Sequence, residues 1–338
     1  MVSEKSNNCR SVAKIISKKK ITDAYILHSA AKDAEVATAL STNEILCSDV
    51  DTYFKSPTTL KGHKNSITRI QFSKKTKNVL FSCSVDGKVH TWDTRTGNDP
   101  VQSFYDDSDG DLKPLNCFDL NLDENLLCAG TEQIRQDSFL IYWDRRMNKN
   151  LGGYWNSHTD EITHVQFNLN INTSLASSSV DGLINIFDLN EEEEEDALIN
   201  TLNTETSVVK FAWDQNDHIS LITGTEDYQF WSTEKTSPSF CTSRDKFSEN
   251  YPVMYNKYLI DTFLCNQDHY LATGIYEFNK PNSYEHDVQL YRQKKNELEL
   301  FTTLNDGHTD FVRTISKLMN RKYVTGGEDG QLCLWNIS

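Results

Sequence analysis

The sequence predicts an all-β chain, a seven-bladed β-propeller closed by an N-terminal strand in the last blade. Three observations predict it. One phrase returns along the 338 residues at a nearly constant interval. Each clear copy divides into two apolar runs around a tight turn. A separate strand-like run stands before the first copy.

The phrase is plainest in VLFSCSVDGKVHTWDTR at 79–95, LASSSVDGLINIFDL at 175–189 and YVTGGEDGQLCLWN at 323–336. Weaker copies lie at 126–146, 221–232 and 271–292, and the most worn is ATALSTNEILCSDV at 37–50. Each ends on an anchor: Ser48 in the worn copy, then Trp92, Trp143, Phe187, Trp231, Tyr291 and Trp335. The steps between anchors are 44, 51, 44, 44, 60 and 44 residues. Four of the six tryptophans fall on anchors. A period of ~40–45 with a Trp-Asp ending is the signature of WD repeats, so the chain resembles WD-repeat propellers.

Within a copy, Asp86-Gly87, Asp181-Gly182 and Asp329-Gly330 separate the apolar runs, a strong hairpin signal. Upstream lies an alternating run, such as Ile67, Ile70 and Phe72, or Ile162, Val165 and Phe167. Each blade is therefore expected to hold an inner strand, a hairpin and an outer strand. The chain stops three residues after Trp335, so the last blade lacks an outer strand. Residues 10–17, RSVAKIIS, are expected to supply it. One domain is expected over 1–338, with 1–20 as leader and latch strand and blades ending near 48, 92, 143, 187, 231, 291 and 335.

Three copies repeat a polar set. His63, Ser82, Asp86 and Trp92 form one, and His308, Thr325, Asp329 and Trp335 another. His158, Ser177 and Asp181 form the third, with Phe187 in place of Trp. In WD-repeat proteins such a set joins Asp to His, His to Ser/Thr, and Ser/Thr to the indole N–H. The resemblance implies the same here, without the last link at Phe187. A Ser/His/Asp trio also fits a nucleophile triad. The trio recurs at architectural spacing with each Ser inside a strand, so the structural reading is preferred.

Composition narrows the function. The chain carries 34 basic and 49 acidic residues, a net charge of −15. Such a surface repels phosphate backbones, which disfavours general nucleic-acid binding. The eight cysteines include no C-x-x-C pair and no His at zinc-ligand spacing. They read as small buried hydrophobes in a reducing compartment. No apolar run approaches the ~18 residues that cross a bilayer, and MVSEKSNNCRSVAKIISKKK has no signal-peptide core. A cytoplasmic or nuclear location is expected, with no membrane, metal or cofactor.

A closer resemblance appears in CAGTE at 128–132, FLIYWDRRMN at 139–148, SHTDEITHVQF at 157–167, SSSVDGLINIFDLN at 177–190, EEDAL at 194–198 and TGGEDGQLCLW at 325–335. These are similar to the family of WD repeat-containing protein 89. The likeness spans nearly the whole chain. It departs in blade one, which lacks the aromatic anchor, and is loose in blades five and six. It implies a propeller with ubiquitin-ligase connections.

Partner chemistry is sought outside the polar sets. WDTR at 92–95 and WDRR at 143–146 match W-D-x-R. In propellers similar to substrate receptors of cullin-4 ubiquitin ligases, this motif engages the ligase adaptor. Arg95 and Arg146 would offer a fixed fork to a carboxylate, unless they pair with local acids instead. The acidic run Glu191, Glu192, Glu193, Glu194, Glu195 and Asp196 reads as a solvated loop, or as a lure for a basic protein. DDSDGD at 106–111 has the beat of a calcium loop, but Gly is misplaced and Phe118 stands where the last ligand is required. Two long connections, 233–258 and NKPNSYEHD at 279–287, are candidate selectivity loops. No acid or His is seen to recur on inner strands, where His164 stands alone. The reading is a non-enzymatic protein-interaction scaffold or adaptor. The alternative is a cullin-4 substrate receptor docking through W-D-x-R.

Overall fold

The structure is a computed structural model that describes residues 11–97, 99–244, 246, 255–277 and 286–338. Strand β1 is Ala13–Lys20. Blade one holds β2 (Ile26–Lys32), β3 (Glu35–Leu40), β4 (Ile45–Asp49) and β5 (Thr58–Leu60). Blade two holds β6 (Ile67–Phe72), β7 (Val79–Ser84), β8 (Lys88–Asp93) and β9 (Gln102–Phe104). Blade three holds β10 (Leu115–Leu120), β11 (Leu126–Thr131), β12 (Leu140–Asp144) and β13 (Lys149–Tyr154). Blade four holds β14 (Ile162–Phe167), β15 (Ser174–Ser179) and β16 (Leu183–Asp188), then the helical turn α1 (Glu194–Ala197) and β17 (Leu198–Asn203). Blade five holds β18 (Val208–Trp213), β19 (His218–Thr223), β20 (Asp227–Ser232) and β21 (Phe240–Ser243). Blade six holds β22 (Tyr255–Cys265), β23 (Asp268–Glu277), β24 (His286–Lys294) and β25 (Glu297–His308). Blade seven holds β26 (Val312–Lys317), β27 (Lys322–Gly327) and β28 (Gln331–Ile337).

These are seven four-stranded sheets, the blades of a β-propeller. Blades one to six pair their strands in chain order, and blade seven takes β1 as its fourth strand beside β28. The register runs from Ala13 opposite Ile337 to Lys20 opposite Gln331. The expected segment was 10–17, so the strand lies three residues further on. It includes Lys18, Lys19 and Lys20 because an outermost strand is held by its backbone and leaves much of its side-chain surface in water.

Two compact units divide the chain. Lys61–Thr225 with Gln229–Ser239 carries blades two to four and most of blade five. Met1–Leu60, Glu226–Tyr228 and Phe240–Ser338 carry the rest. In each unit the core is a set of apolar layers between neighbouring sheets. Phe81, Val89, Phe118, Leu127 and Trp143 fill the layer between blades two and three. Ile184, Leu202, Phe211, Trp213 and Trp231 fill that between blades four and five. Alternation therefore fails on these strands: both faces are buried, as in β12, where every residue is inside.

Two expectations need correction, and the place of the missing aromatic is filled. Blade one has no aromatic at its anchor, Ser48. Phe54, fully buried in a layer with Val36, Leu46 and Val324, takes that part from a turn six residues later. The connection 233–258 contains β21 and the first four residues of β22, so it is not loop throughout; its residues 245 and 247–254 lie outside the described ones. The turn expected at 279–287 ends earlier, since His286 and Asp287 already belong to β24, and its remainder also lies outside the described residues. No helix among the described residues is long and apolar enough to cross a membrane.

Candidate functional site

The repeated polar sets meet in space at the hairpin turns. In blade two, His63 Nδ1 lies 3.0 Å from Asp86 Oδ2, and Nε2 lies 2.7 Å from Ser82 Oγ. Trp92 Nε1 donates to the same Ser82 Oγ at 2.8 Å. Blade seven repeats this: His308 is 3.1 Å from Asp329 and 2.8 Å from Thr325, and the Trp335 indole donates to Thr325 at 2.9 Å. In blade four, His158 is 3.0 Å from Asp181 and 2.7 Å from Ser177, and the chain of bonds ends there.

The bonding fixes the roles. A carboxylate only accepts, so each His donates through Nδ1 and accepts the hydroxyl hydrogen through Nε2. The hydroxyl oxygen is then left to accept the indole N–H. Each Asp also accepts two backbone N–H groups, those of Lys64 and Lys88 for Asp86. Burial pushes the three carboxyls up, but the hydrogen bonds from the imidazole and from the backbone N–H groups outweigh it and hold all three below the ordinary range. Ser82, Ser177 and Thr325 are fully buried, so no substrate carbon can approach them.

In blades two and seven a glycine makes room for the indole. A Cβ on Gly62 would stand 2.8 Å from the Trp92 ring, and one on Gly307 would stand 2.4 Å from the Trp335 ring. Blade four has Ser157 at that place, before His158, and carries the smaller Phe187. Where the hydroxyl link is missing, the anchor bonds elsewhere. Trp143 Nε1 donates to Tyr105 O at 3.1 Å. Trp231 Nε1 donates to Gln229 Oε1 at 2.8 Å, and Tyr291 Oη to Gln289 Oε1 at 2.6 Å. Gln229 and Gln289 escaped the sequence reading. Their signal was a polar residue two before the anchor, the place of His90 and Asn185 in blades two and four.

His90 sits 4.4 Å from the His63 ring and bonds Ser103 Oγ through Nδ1 at 2.8 Å. The ligand atoms of His63, Asp86 and His90 lie within 4.8 Å of one another. Both nitrogens of His63 are already engaged, so the trio belongs to the hydrogen-bond network rather than to a metal centre. Burial, then the nearby His63, pushes His90 down to about 4. An unfolded His titrates near ~6.5. The unfolded chain thus takes up a proton first, and stability drains as pH falls from about 6.5 towards 4. Urea unfolding across that range should show a loss of up to about 3 kcal/mol from this residue. His90→Asn, which copies blade four, should flatten that slope; an unchanged slope would reassign the titration.

The exposed candidates have local partners. Arg95 places Nε and Nη2 at 2.9 and 2.6 Å from the two oxygens of Asp93. Arg146 does the same to Asp144 at 3.2 and 2.7 Å. In both, the fork is engaged by the Asp of its own Trp-Asp pair. The acidic run is not wholly a solvated loop. Glu194 begins α1, and its carboxylate accepts the N–H groups of Trp155 and Asn156 at 2.9 Å each, and the Ser157 hydroxyl. A turn with unmet N–H groups recruits the acid. Glu191, Glu192, Glu193 and Glu195 remain exposed. The segment 106–111 is pinned as well: Lys113, buried, lies 2.7 Å from Asp106 and 2.8 Å from Asp109.

Outer strands present a second exposed feature. Each of β13 and β17 has a bulge opposite its anchor, which leaves Leu151 and Ile199 unpaired. A bulge re-aims its side chain, and these two are 51% and 61% exposed, beside Trp155 at 53%.

Repeating blades, buried Asp–His–hydroxyl bonds and Trp-Asp strand ends define a WD-repeat β-propeller. Comparisons with known proteins agree. The family described as WD domain, G-beta repeat matches residues 54–93 and 299–336. The chain is 28% identical to an uncharacterized WD repeat-containing protein of Schizosaccharomyces pombe, over 89% of this chain and 92% of that one. It is 28% identical to WD repeat-containing protein GTS1 of Arabidopsis thaliana, over 89% of this chain and 77% of that one. It is 26% identical to the WD repeat-containing protein 89 homolog of Dictyostelium discoideum, over 82% of this chain and 73% of that one. The chain thus carries WD repeats on a β-propeller and is similar to these WD-repeat proteins over most of its length.

Proposed function

We propose that the protein is a non-catalytic adaptor that holds other proteins on its blade perimeters, in the cytoplasm or nucleus. One observation carries this reading. The repeated Asp, His and hydroxyl groups are consumed inside the blades, while Leu151 and Ile199 stand exposed on neighbouring outer strands and Trp155 just past the end of one. Large exposed apolar residues along rigid sheet edges are suited to a partner, since aromatic anchors carry much of the energy of protein interfaces. Glu191, Glu192, Glu193 and Glu195 border this region and favour a basic partner.

The cullin-4 receptor reading draws support from Arg95 and Arg146. The two occupy the same place in adjoining blades, are mostly exposed, and are held in one geometry by Asp93 and Asp144. Affinity purification separates the readings. Trp155→Ala with Ile199→Asp should leave melting unchanged and remove the main co-purifying proteins. Arg95→Ala with Arg146→Ala should remove a ligase adaptor selectively. Identical recovery from the wild type and the Trp155/Ile199 variant would refute the perimeter reading.

A further inference from the structure

The inner strands hold a charged group that the polar networks do not use. In the unit of blades two to five, every inner strand shifts register just after its start. The shifts fall between Ile67 and Arg69, Leu115 and Cys117, Ile162 and His164, and Val208 and Lys210. Arg69, Cys117, His164 and Lys210 therefore share one register place on four successive strands. His164 is not a lone inner-strand residue. The pattern is hard to see in sequence because the four side chains differ and the bulge breaks the alternation.

Arg69 reaches past blade three. Its Nη1 lies 2.7 Å from His164 Nδ1. Between them blade three offers only Cys117, whose thiol is turned to Ile162 O at 3.7 Å. His164 is buried, and burial followed by the charges of Arg69 and Lys210 keeps its pKa well below the ordinary value. It is a neutral acceptor at pH 7, and it engages one of the five N–H donors of the guanidinium.

Charge balance bears on this arrangement. Arg95, Arg146, Arg244, Arg292 and Arg313 each hold a carboxylate. Arg69, like Arg135, Arg145 and Arg321, holds none among the described residues, and of these four it is the one bonded to a buried His. The buried acid two residues along the neighbouring strand, Asp119, is spoken for: Oδ1 accepts from Gln71 Nε2 at 3.0 Å and Oδ2 from the Phe167 N–H at 2.9 Å. A half-buried guanidinium with spare planar donors and a neutral His beside it is matched to a planar or tetrahedral oxyanion.

We infer that Arg69, positioned by His164, forms an oxyanion-binding site on the inner strands, one that takes a carboxylate or phosphate group. The site stands apart from the perimeter surface, so it neither needs nor tests the adaptor reading.

The test uses the full chain with ¹³C-labelled histidine, at low ionic strength and constant pH. Inorganic phosphate and acetate are titrated separately while the His164 Cε1–Hε1 signal is followed, assigned through His164→Gln. A saturable shift with either anion is expected, and the stronger binder identifies the group the site takes. In Arg69→Gln the binding should weaken at least about tenfold, and in Arg313→Gln it should not change. No saturable shift with either anion, or an equal one in Arg69→Gln, overturns the site. If Arg69→Gln does not fold, the Arg69 Nε–Hε signal of the wild type replaces it. That signal must saturate together with His164, and independent curves overturn the site equally.

Discussion

Ser82→Ala is expected to destabilise the fold by roughly 2–5 kcal/mol, and Ser177→Ala by only about 1–3 kcal/mol. Both serines are fully buried and both meet a His through Nε2. They differ in what lies on the other side of the hydroxyl. Removing Ser82 Oγ strands two buried groups, the His63 nitrogen and the Trp92 indole N–H. Removing Ser177 Oγ strands one, because Phe187 has nothing to donate. Each stranded group costs its own desolvation, and the members of a buried network lose more together than separately. Urea unfolding at pH 7 with unchanged m-values measures the difference; equal losses would mean that the indole link contributes nothing. The same logic extends to blade four. Phe187→Trp alone should destabilise, since Ser157 has the Cβ that Gly62 and Gly307 lack. Adding Ser157→Gly should recover stability, less what Glu194 loses when the Ser157 hydroxyl goes.

What the sequence reveals follows from how local each feature is. Asp-Gly turns and Trp anchors are set by neighbours within ten residues, so the blades were legible, and the three polar sets were legible because each repeats its His 21 to 23 residues before its Asp. The aromatic of blade one was not, because Phe54 enters its layer from a turn with φ of +60° rather than from a strand. Arg95 and Arg146 were visible as motif residues, yet their forks close on Asp93 and Asp144, a choice of rotamer that spacing does not encode. Glu194 was read as one of a run of like charges. Only the fold brings it to the unmet N–H groups of Trp155 and Asn156, some 38 residues away in sequence. The Arg69–His164 pair lies 95 residues apart and spans a blade. Contacts of that range depend on blade order, which periodicity predicts, and on bulge position, which it does not.

Deletion of residues 1–20 should lower the melting temperature sharply while keeping a single transition. The segment does more than fill an edge. β1 pairs along the whole of β28. Beyond the ladder, Ser338 N donates to Val12 O at 3.0 Å, and Thr302 Oγ1 to Ser11 O at 2.7 Å. Lys19 Nζ donates to Phe54 O at 2.7 Å. One strand thus ties blades six, seven and one. At roughly 0.5–1.5 kcal/mol net for each backbone bond, the ladder alone is worth several kcal/mol, comparable to the ~5–15 kcal/mol that keeps an ordinary domain folded. The deletion would also bare the backbone of β28, an apolar strand that includes buried Leu332, Leu334 and Trp335, as a template for edge-to-edge aggregation. The lysines of β1 now guard that side. Ser17→Pro offers a milder form of the test, since proline cannot donate to the ladder, and should move the transition in the same direction by a smaller amount. Calorimetry of the three proteins decides it: unchanged melting on deletion would mean that β28 holds its place without β1.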